Sequence, residues 1–223
     1  MPKLVELLQK NKLTLIAALP NNDLELARAA IAGGADALQL HLNVRGVGDY
    51  NSEKVNLAKI LGIASIPVGM MPGSKKQASR KEMQEIVKMG IDFVNLKRDN
   101  LPDYYSELKG VSKVLGLGNR FTIDLVLGIG EHGADALDAA IIPAAEQGKD
   151  LVIGDLQNYI SIVISAGIPV IIPTQRSIRP SEVAIVSDTD ARGLLLTPVV
   201  LGTTAKHIEK NVREFRVAVD DLG

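Results

Sequence analysis

The chain reads as an α/β protein, a single (β/α)8 TIM barrel spanning residues 1–223, on three observations. The pentapeptide Gly-Ala-Asp-Ala-Leu occurs at 34–38 and again at 133–137, each time between a helix-like and a strand-like segment. A second echo follows each copy, Ser65-Ile66-Pro67-Val68 and then Gly167-Ile168-Pro169-Val170. Both pairs lie roughly 100 residues apart, close to half the chain, as two four-unit half-barrels would leave them. Third, the composition is 46% hydrophobic but 3% aromatic, with no Trp, so the core is aliphatic. Barrel interiors and their helix–strand shells favour such residues.

Each unit reads as an aliphatic strand, a turn and an amphipathic helix closed by Gly or Asn. A strand at 13–19 leads to a helix at 23–32 that ends at Gly33-Gly34. A second strand at 37–43 precedes a Gly-rich loop and a helix at 52–61. The third strand, 66–71, runs into Pro72-Gly73 and a polar loop. The next helix opens with the capping box Ser79-x-x-Glu82 and buries Met83, Ile86 and Val87. The fourth strand is 93–97, followed by a helix over 102–115 and a fifth strand at 121–127. The sixth strand has two readings, 150–154 after a helix at 139–147, or 136–142 before a helix at 155–165. Pro143 would interrupt the first helix, and the pentapeptide aligns 136–142 with the second strand, so the second reading is taken. A seventh strand at 170–174, a helix from Pro180 and an eighth strand at 193–199 follow. The last helix starts at Thr203 or Thr204 and carries Ile208, Val212, Phe215 and Val219 as an inward stripe.

No Pro/Ser/Gly-rich, low-complexity or charge-blocked stretch divides the 223 residues, so one domain is expected. A net charge of −1, from 25 basic and 26 acidic residues, argues against a nucleic-acid partner. Without cysteine there is no thiolate nucleophile, disulfide framework or cysteine metal site. The start is broken by Glu6 and Gln9-Lys10, unlike a signal peptide, and no apolar run is long enough to cross a bilayer. A cytoplasmic protein with no membrane partner is expected. Barrels often form homodimers; no sequence patch argues for one.

Alternate residues of a barrel strand face opposite sides. In the second strand Leu38, Leu40 and Leu42 belong against the helices, which points Gln39, His41 and Asn43 inward. In the fourth, Val94 and Leu96 go outward and leave Phe93, Asn95, Lys97 and Asp99 inside. Alternate strands share a layer, and His41 and Lys97 fall late in their strands, near the C-terminal mouth where barrel active sites form. Asp124 and Asp138 have the parity to face inward from the fifth and sixth strands. Either serves as general base or as the counter-charge of Lys97. The competing reading is that such groups simply satisfy one another. His132, in a loop, and His207, on the last helix, are weaker candidates.

Gly202-Thr203-Thr204 opens the last helix with free N–H groups and hydroxyls, an arrangement suited to an anion. The loop after the seventh strand adds Gln175, Arg176 and Arg179, and phosphate sites in barrels commonly follow strands 7 and 8. The competing reading is an ordinary N-cap and solvated arginines. Loops at 45–50 and 72–77 read as lids, with Arg45, Lys75 and Lys76 able to close over an anion.

In architecture and punctuation the whole chain resembles the small phosphate-binding barrels of the ribulose-phosphate-binding and class I aldolase group. Their Gly-Gly after strand 7 is replaced by Thr174-Gln175, and their Gly-Ser after strand 8 is echoed by Gly202-Thr203. Pentulose-phosphate 3-epimerases of this group hold a metal with His-x-Asp, a second His and a later Asp. Here those places read His41-Leu42-Asn43, Gly69-Met70-Met71 and Thr174-Gln175, so neither a metal nor a cofactor is expected. Lys97-Arg98-Asp99 is similar to a motif of acylmannosamine-phosphate 2-epimerases, which lies after an earlier strand there. Class I aldolases use a strand-borne lysine, and Lys97 is the one lysine inside a proposed strand.

The expected function is a metal-independent lyase or isomerase acting on a small anionic, phosphorylated sugar or keto acid. Lys97 is the Schiff-base former, its pKa lowered by burial or by a neighbouring cation, or an electrostatic catalyst. His41 and Asp124 or Asp138 move protons. Asn43 and Asn95 orient hydroxyls, Gln39 and Asp99 bind substrate, and Gly202, Thr203, Thr204, Gln175 and Arg176 hold the phosphate. The alternative is a ligand-binding or regulatory barrel without turnover.

Overall fold

The computed structural model describes residues 3–74 and 76–223. Among them eight parallel strands close into a barrel in chain order: β1 (Thr14–Ala18), β2 (Ala37–His41), β3 (Val68–Met71), β4 (Phe93–Lys97), β5 (Ser112–Gly116), β6 (Ala136–Asp138), β7 (Val170–Pro173) and β8 (Gly193–Leu196). The eighth strand pairs back onto the first, Ile16 opposite Leu195. The period-two pattern of each strand splits the core in two. Leu15, Leu38, Leu40, Val94, Leu96, Leu115 and Leu194 pack outward against the helices. Ile16, Ala37, Phe93, Val114, Ala136, Ile171 and Leu195 fill the lower barrel. Phe93 is accommodated by Gly69 in the adjacent strand, where a Cβ would lie 2.1 Å from its ring.

The floor is closed by α1 (Lys3–Lys10), a helix the sequence reading leaves unassigned. Its Leu4 and Leu8 join the inner cluster, each contributing about 1.5–3 kcal/mol by burial. Asp92, at the entrance of β4, accepts from Lys3 N at 2.7 Å and Leu4 N at 2.8 Å, placing a carboxylate on the positive end of the helix. With the floor plugged, access to the barrel is from the C-terminal mouth.

The repeated pentapeptide has a structural counterpart. Gly34 ends α2 (Leu24–Gly33) in the left-handed region at φ 97°, and Gly133 adopts φ 80° at the matching place. Asp36 then accepts from Leu15 N at 2.7 Å, and Asp135 from Lys113 N at 2.8 Å, each tying its own strand to the preceding one. The residues after each copy, Gln39 and Asp138, therefore hold equivalent inward positions in β2 and β6, four strands apart.

Further helices are α3 (Tyr50–Ile63) and α4 (Arg80–Lys88), the latter with the expected Ser79–Glu82 capping box. The segment from Pro102 is not a helix. It holds a short turn, Tyr105–Glu107, and then β5 at Ser112–Gly116. The expected fifth strand at 121–127 is instead α5 (Ile123–Leu127), capped by Thr122, which accepts from Leu125 N. A β-branched run this short fits either structure by pattern alone. The chosen reading of the sixth strand agrees with β6, followed by α6 (Ile153–Ala166). The seventh strand leads to α7 (Val183–Ser187). The eighth strand stops at Leu196, because Thr197 caps a short α8 (Pro198–Leu201). The last helix, α9 (Ala205–Asp220), is capped by Thr204 and buries Ile208, Val212, Phe215 and Val219 as expected. No helix among the described residues is long and apolar enough to cross a membrane.

Candidate functional site

Inside the upper barrel, four polar side chains from the even strands β2, β4 and β6 form one hydrogen-bonded row. Asn95 donates one amide hydrogen to Gln39 Oε1 at 2.9 Å and the other to Asp138 Oδ2 at 2.8 Å. Gln39 Nε2 then faces His41 Nε2 at 3.3 Å. Gln39, Asn95 and Asp138 are buried, and His41 is half-buried. Two acceptors in this row have no protein partner: Asn95 Oδ1 and Asp138 Oδ1.

Burial sets the charges of the row. Desolvation pushes the Asp138 carboxyl up to about 6, against the opposing pull of its Asn95 hydrogen bond and the Lys97 charge. Desolvation takes His41 down to about 4, partly offset by a hydrogen bond to the Leu19 backbone. His41 is therefore neutral near pH 7, and its Nε2 accepts from the Gln39 amide. That direction turns Gln39 Oε1 toward Asn95, whose amide Nδ2 donates to it and, with its other hydrogen, to Asp138.

Above Asn95 and Asp138 opens a cavity of about 390 Å³, lined also by Met71, Lys97, Gly116 and Gln175. Lys97 is in register with Gly116, and Gly116 with Asp138, so the three stand level on consecutive strands. Two strand spacings separate Lys97 from Asp138, about 10 Å between backbones. Gly116 carries no side chain into this space, where a Cβ would lie 3.6 Å from Asn95 Oδ1 and 4.0 Å from Asp138 Oδ2. Gln175 turns its Oε1 to Ile142 N at 3.0 Å, which orients it at the rim. A larger groove of about 820 Å³ runs along the outside of α9, past Lys210, Arg213 and Val217. It is open and encloses no buried polar row, so the mouth cavity is the candidate site.

The structure brings Gln39, His41, Asn95, Lys97, Asp99, Asp138 and Gln175 to the row or the cavity. Several expectations change. Lys97 is exposed at the rim, so the burial expected to activate it is absent. Asp99 is also exposed and pairs with Arg98 at 2.9 Å. Asp124 lies on α5, outside the barrel, because its segment is helical. His41 does not line the cavity; it supports Gln39 from behind. Asn43, at φ 52°, turns the chain out of β2 and donates to Pro72 O at 3.2 Å. Arg176 is buried and fully engaged, with Nε 2.7 Å from Asp155 Oδ2 and Nη1 3.2 Å from Glu146 Oε2. Gly202, Thr203 and Thr204 follow α8 and do not line the cavity; the Thr204 hydroxyl accepts from His207 N. Arg45 and Lys76 lie in loops outside the cavity lining, and Lys75 falls outside the described residues.

Gly116, Asn119 and Gln147 line the cavity without being anticipated. The signal for Gly116 was the alternation Ser112-x-Val114-x-Gly116 against Leu115 and Leu117. Among the described residues no group of three or more His, Cys, Asp or Glu converges as metal ligands would.

No protein-family model and no curated protein sequence matches the chain. Solved structures do match over most of its length. Thiamine phosphate pyrophosphorylase from Pyrococcus furiosus superposes with a TM-score of 0.71 at 20% identity, over 96% of this chain and 98% of that one. Phosphoribosyl anthranilate isomerase from Thermus thermophilus gives 0.71 at 14%, over 95% and 100%. The tryptophan synthase A-subunit of Pyrococcus furiosus gives 0.72 at 12%, over 93% and 99%. At these identities the likeness establishes the shared barrel.

Proposed function

We propose that the chain is a metal-independent lyase or isomerase acting on a small phosphorylated sugar or keto acid at the mouth cavity. The observation that carries this reading is Asp138, a buried carboxyl on the cavity floor with one oxygen unpartnered and a lysine level with it two strands away. A carboxyl lifted to about 6 is a competent proton acceptor near neutral pH. In ionised form it takes a proton from the carbon beside the substrate carbonyl. The electron pair left behind moves toward the carbonyl oxygen, whose developing charge the Lys97 ammonium offsets. Returning the proton to the neighbouring carbon, with the hydroxyl hydrogen passing between the two oxygens, completes an isomerisation. In the lyase variant Asp138 takes the proton of the hydroxyl β to the carbonyl, and that oxygen forms a new carbonyl as the carbon–carbon bond between them breaks. The released electron pair becomes an enolate, offset by Lys97 and reprotonated by Asp138. The exposure of Lys97 favours the electrostatic role over Schiff-base formation. His41 positions the row and moves no proton.

The anionic end of the substrate is assigned to the rim, near Lys97 and Gln175, since Arg176 is engaged and Gly202–Thr204 stand apart. Names of two similar structures refer to phosphorylated compounds, which supports an anionic ligand. The exposed Lys97 also favours a second reading, a barrel that binds such a ligand without turning it over.

Thermal stability across a panel of sugar phosphates, phosphorylated keto acids and free phosphate tests the reading. A ligand at about 100 times its dissociation constant adds roughly 2.7 kcal/mol. A selective shift, followed by turnover that is lost in Asp138→Asn, is expected. A shift without turnover selects the binding reading, and no shift with any phosphorylated compound withdraws that ligand class.

A further inference from the structure

Asn95 and Asp138 define what kind of group the cavity floor accepts. Both amide hydrogens of Asn95 are already donated, to Gln39 and to Asp138. Its carbonyl oxygen accepts from no protein donor, and neither does Asp138 Oδ1. Buried acceptors without donors cost about 1–3 kcal/mol each and are uncommon in folded proteins. The inward position beside both is Gly116, whose missing side chain leaves a slot bordered by Asn95 Oδ1 and Asp138 Oδ2. The same cavity is lined by Lys97, level with Gly116 on the neighbouring strand, and by Gln175. Acceptors on one side of the lining and donors on the other orient a ligand.

We propose that the floor of the cavity is a hydroxyl-recognition subsite. A short hydroxylated chain enters through the Gly116 slot, donates its hydroxyl hydrogens to Asn95 Oδ1 and the Asp138 carboxylate, and leaves its anionic end outward at Lys97. The subsite rests on the reading of the mouth cavity as an anion-binding site, and it makes a narrower claim: hydroxyls are bound inward. A phosphate or a carboxylate serves equally as the outer group. A bound water is the competing occupant of the floor, and it makes no distinction between hydroxylated and deoxy ligands.

Four probes separate these cases by calorimetry or ligand-observed NMR: glycerol 3-phosphate against propyl phosphate, and glycerate against propionate. The wild type is expected to prefer the hydroxylated member of at least one pair by about tenfold or more, since a site built to accept a hydroxyl rejects the analogue lacking it. Which pair responds identifies the outer anion. Gly116→Ala fills the slot with one methyl in ordinary contact with Asn95, at a backbone conformation open to any residue, so the fold is retained. In that variant the preference is expected to vanish while the deoxy anions still bind. Gly116→Ser, read in parallel, supplies the floor with its own hydroxyl and is expected to erase the preference as well. Equal binding of both members of each pair to the wild type overturns the hydroxyl subsite and leaves the anion site standing. Absence of binding by all four, together with free phosphate, removes the anion site and the subsite with it. A preference that survives in both Gly116 variants also overturns the proposal.

Discussion

Asn95 Nδ2 donates to Asp138 Oδ2 at 2.8 Å across the barrel interior, and that contact holds the ionised form of a carboxyl that burial otherwise opposes. Asn95→Leu removes the donor while keeping the volume of the side chain. Losing a hydrogen bond to the charged form raises the carboxyl further above its present value of about 6. The variant also strands Gln39 Oε1, so a loss of about 1–3 kcal/mol in stability accompanies the shift. Carboxyl-carbon NMR titration checks the first effect and urea unfolding the second. An unchanged or lower Asp138 pKa would refute the assigned role of Asn95.

Asp138→Asn is expected to stabilise the protein at pH 7 while abolishing turnover. The folded pKa of Asp138 is raised, so its favourable contribution is present at low pH and is lost as pH rises from the ordinary carboxylate value of 3.8 through about 6. Each pKa unit corresponds to about 1.4 kcal/mol, which puts the gain from an uncharged isostere at about 2–3 kcal/mol at pH 7 and near zero at pH 4. His41 acts with the opposite sign. Its folded pKa is lowered from 6.5 to about 4, so its contribution is present above 6.5 and is lost as pH falls through 4. Between pH 4 and 6 the two slopes oppose in the wild type. Stability should therefore rise with pH in Asp138→Asn and fall with pH in His41→Gln. Denaturant midpoints over this range decide, and parallel slopes in the two variants would contradict both assignments.

Lys97 separates chemistry from stability because it sits exposed at the rim. Lys97→Met is expected to abolish turnover and to change unfolding free energy by no more than about 0.5 kcal/mol, as for other exposed positions. Borohydride added during turnover should leave the wild type unlabelled if the lysine acts through its charge. A covalent adduct on Lys97 would reverse that assignment in favour of the Schiff base.

Arg176 is a structural residue in this barrel. Its guanidinium ties the loop after β7 to Asp155 on α6 and to the Glu146 backbone carbonyl at 3.0 Å. Arg176→Met leaves Asp155 buried without its partner, and breaking such a pair costs about 3–5 kcal/mol. Pairing the change with Asp155→Leu should recover most of that loss, because no uncompensated charge remains. Chemical denaturation of the single and double variants measures both. A stable single variant that fails to bind anions would restore the role expected from sequence.

What the sequence disclosed followed from pattern. Leu38, Leu40 and Leu42 mark one face of β2, so the inward direction of Gln39 and His41 was legible, and Val94 and Leu96 did the same for Asn95 and Lys97. The repeated pentapeptide marked β2 and β6 and thereby located Asp138. The fifth strand is missed although Ser112, Val114 and Gly116 alternate with Leu115, because the segment reads as the end of a helix starting at Pro102. The β-branched run after it imitated the missing strand and carried Asp124 to the wrong side of the wall. Pairings were hidden for a different reason. Nothing local to Arg176 announces Asp155, and the orphaned oxygens of Asn95 and Asp138 exist only once three strands have been brought together.

Gly116 offers a last and independent reading of the floor. Its position borders Asn95 Oδ1, which has no donor, at 3.6 Å from where a Cβ would stand. Gly116→Ser places a hydroxyl one bond farther into the slot, within reach of that oxygen. Satisfying a buried acceptor contributes about 1 kcal/mol, and replacing glycine in a strand adds a little through the unfolded chain. The unliganded variant should therefore melt several degrees higher than the wild type, and higher than Gly116→Ala, which gains the second effect alone. Differential scanning calorimetry of the three proteins without ligand compares them directly. If the serine and alanine variants melt together, the Asn95 oxygen is already satisfied in solution, and the floor has no vacancy for a hydroxyl to fill.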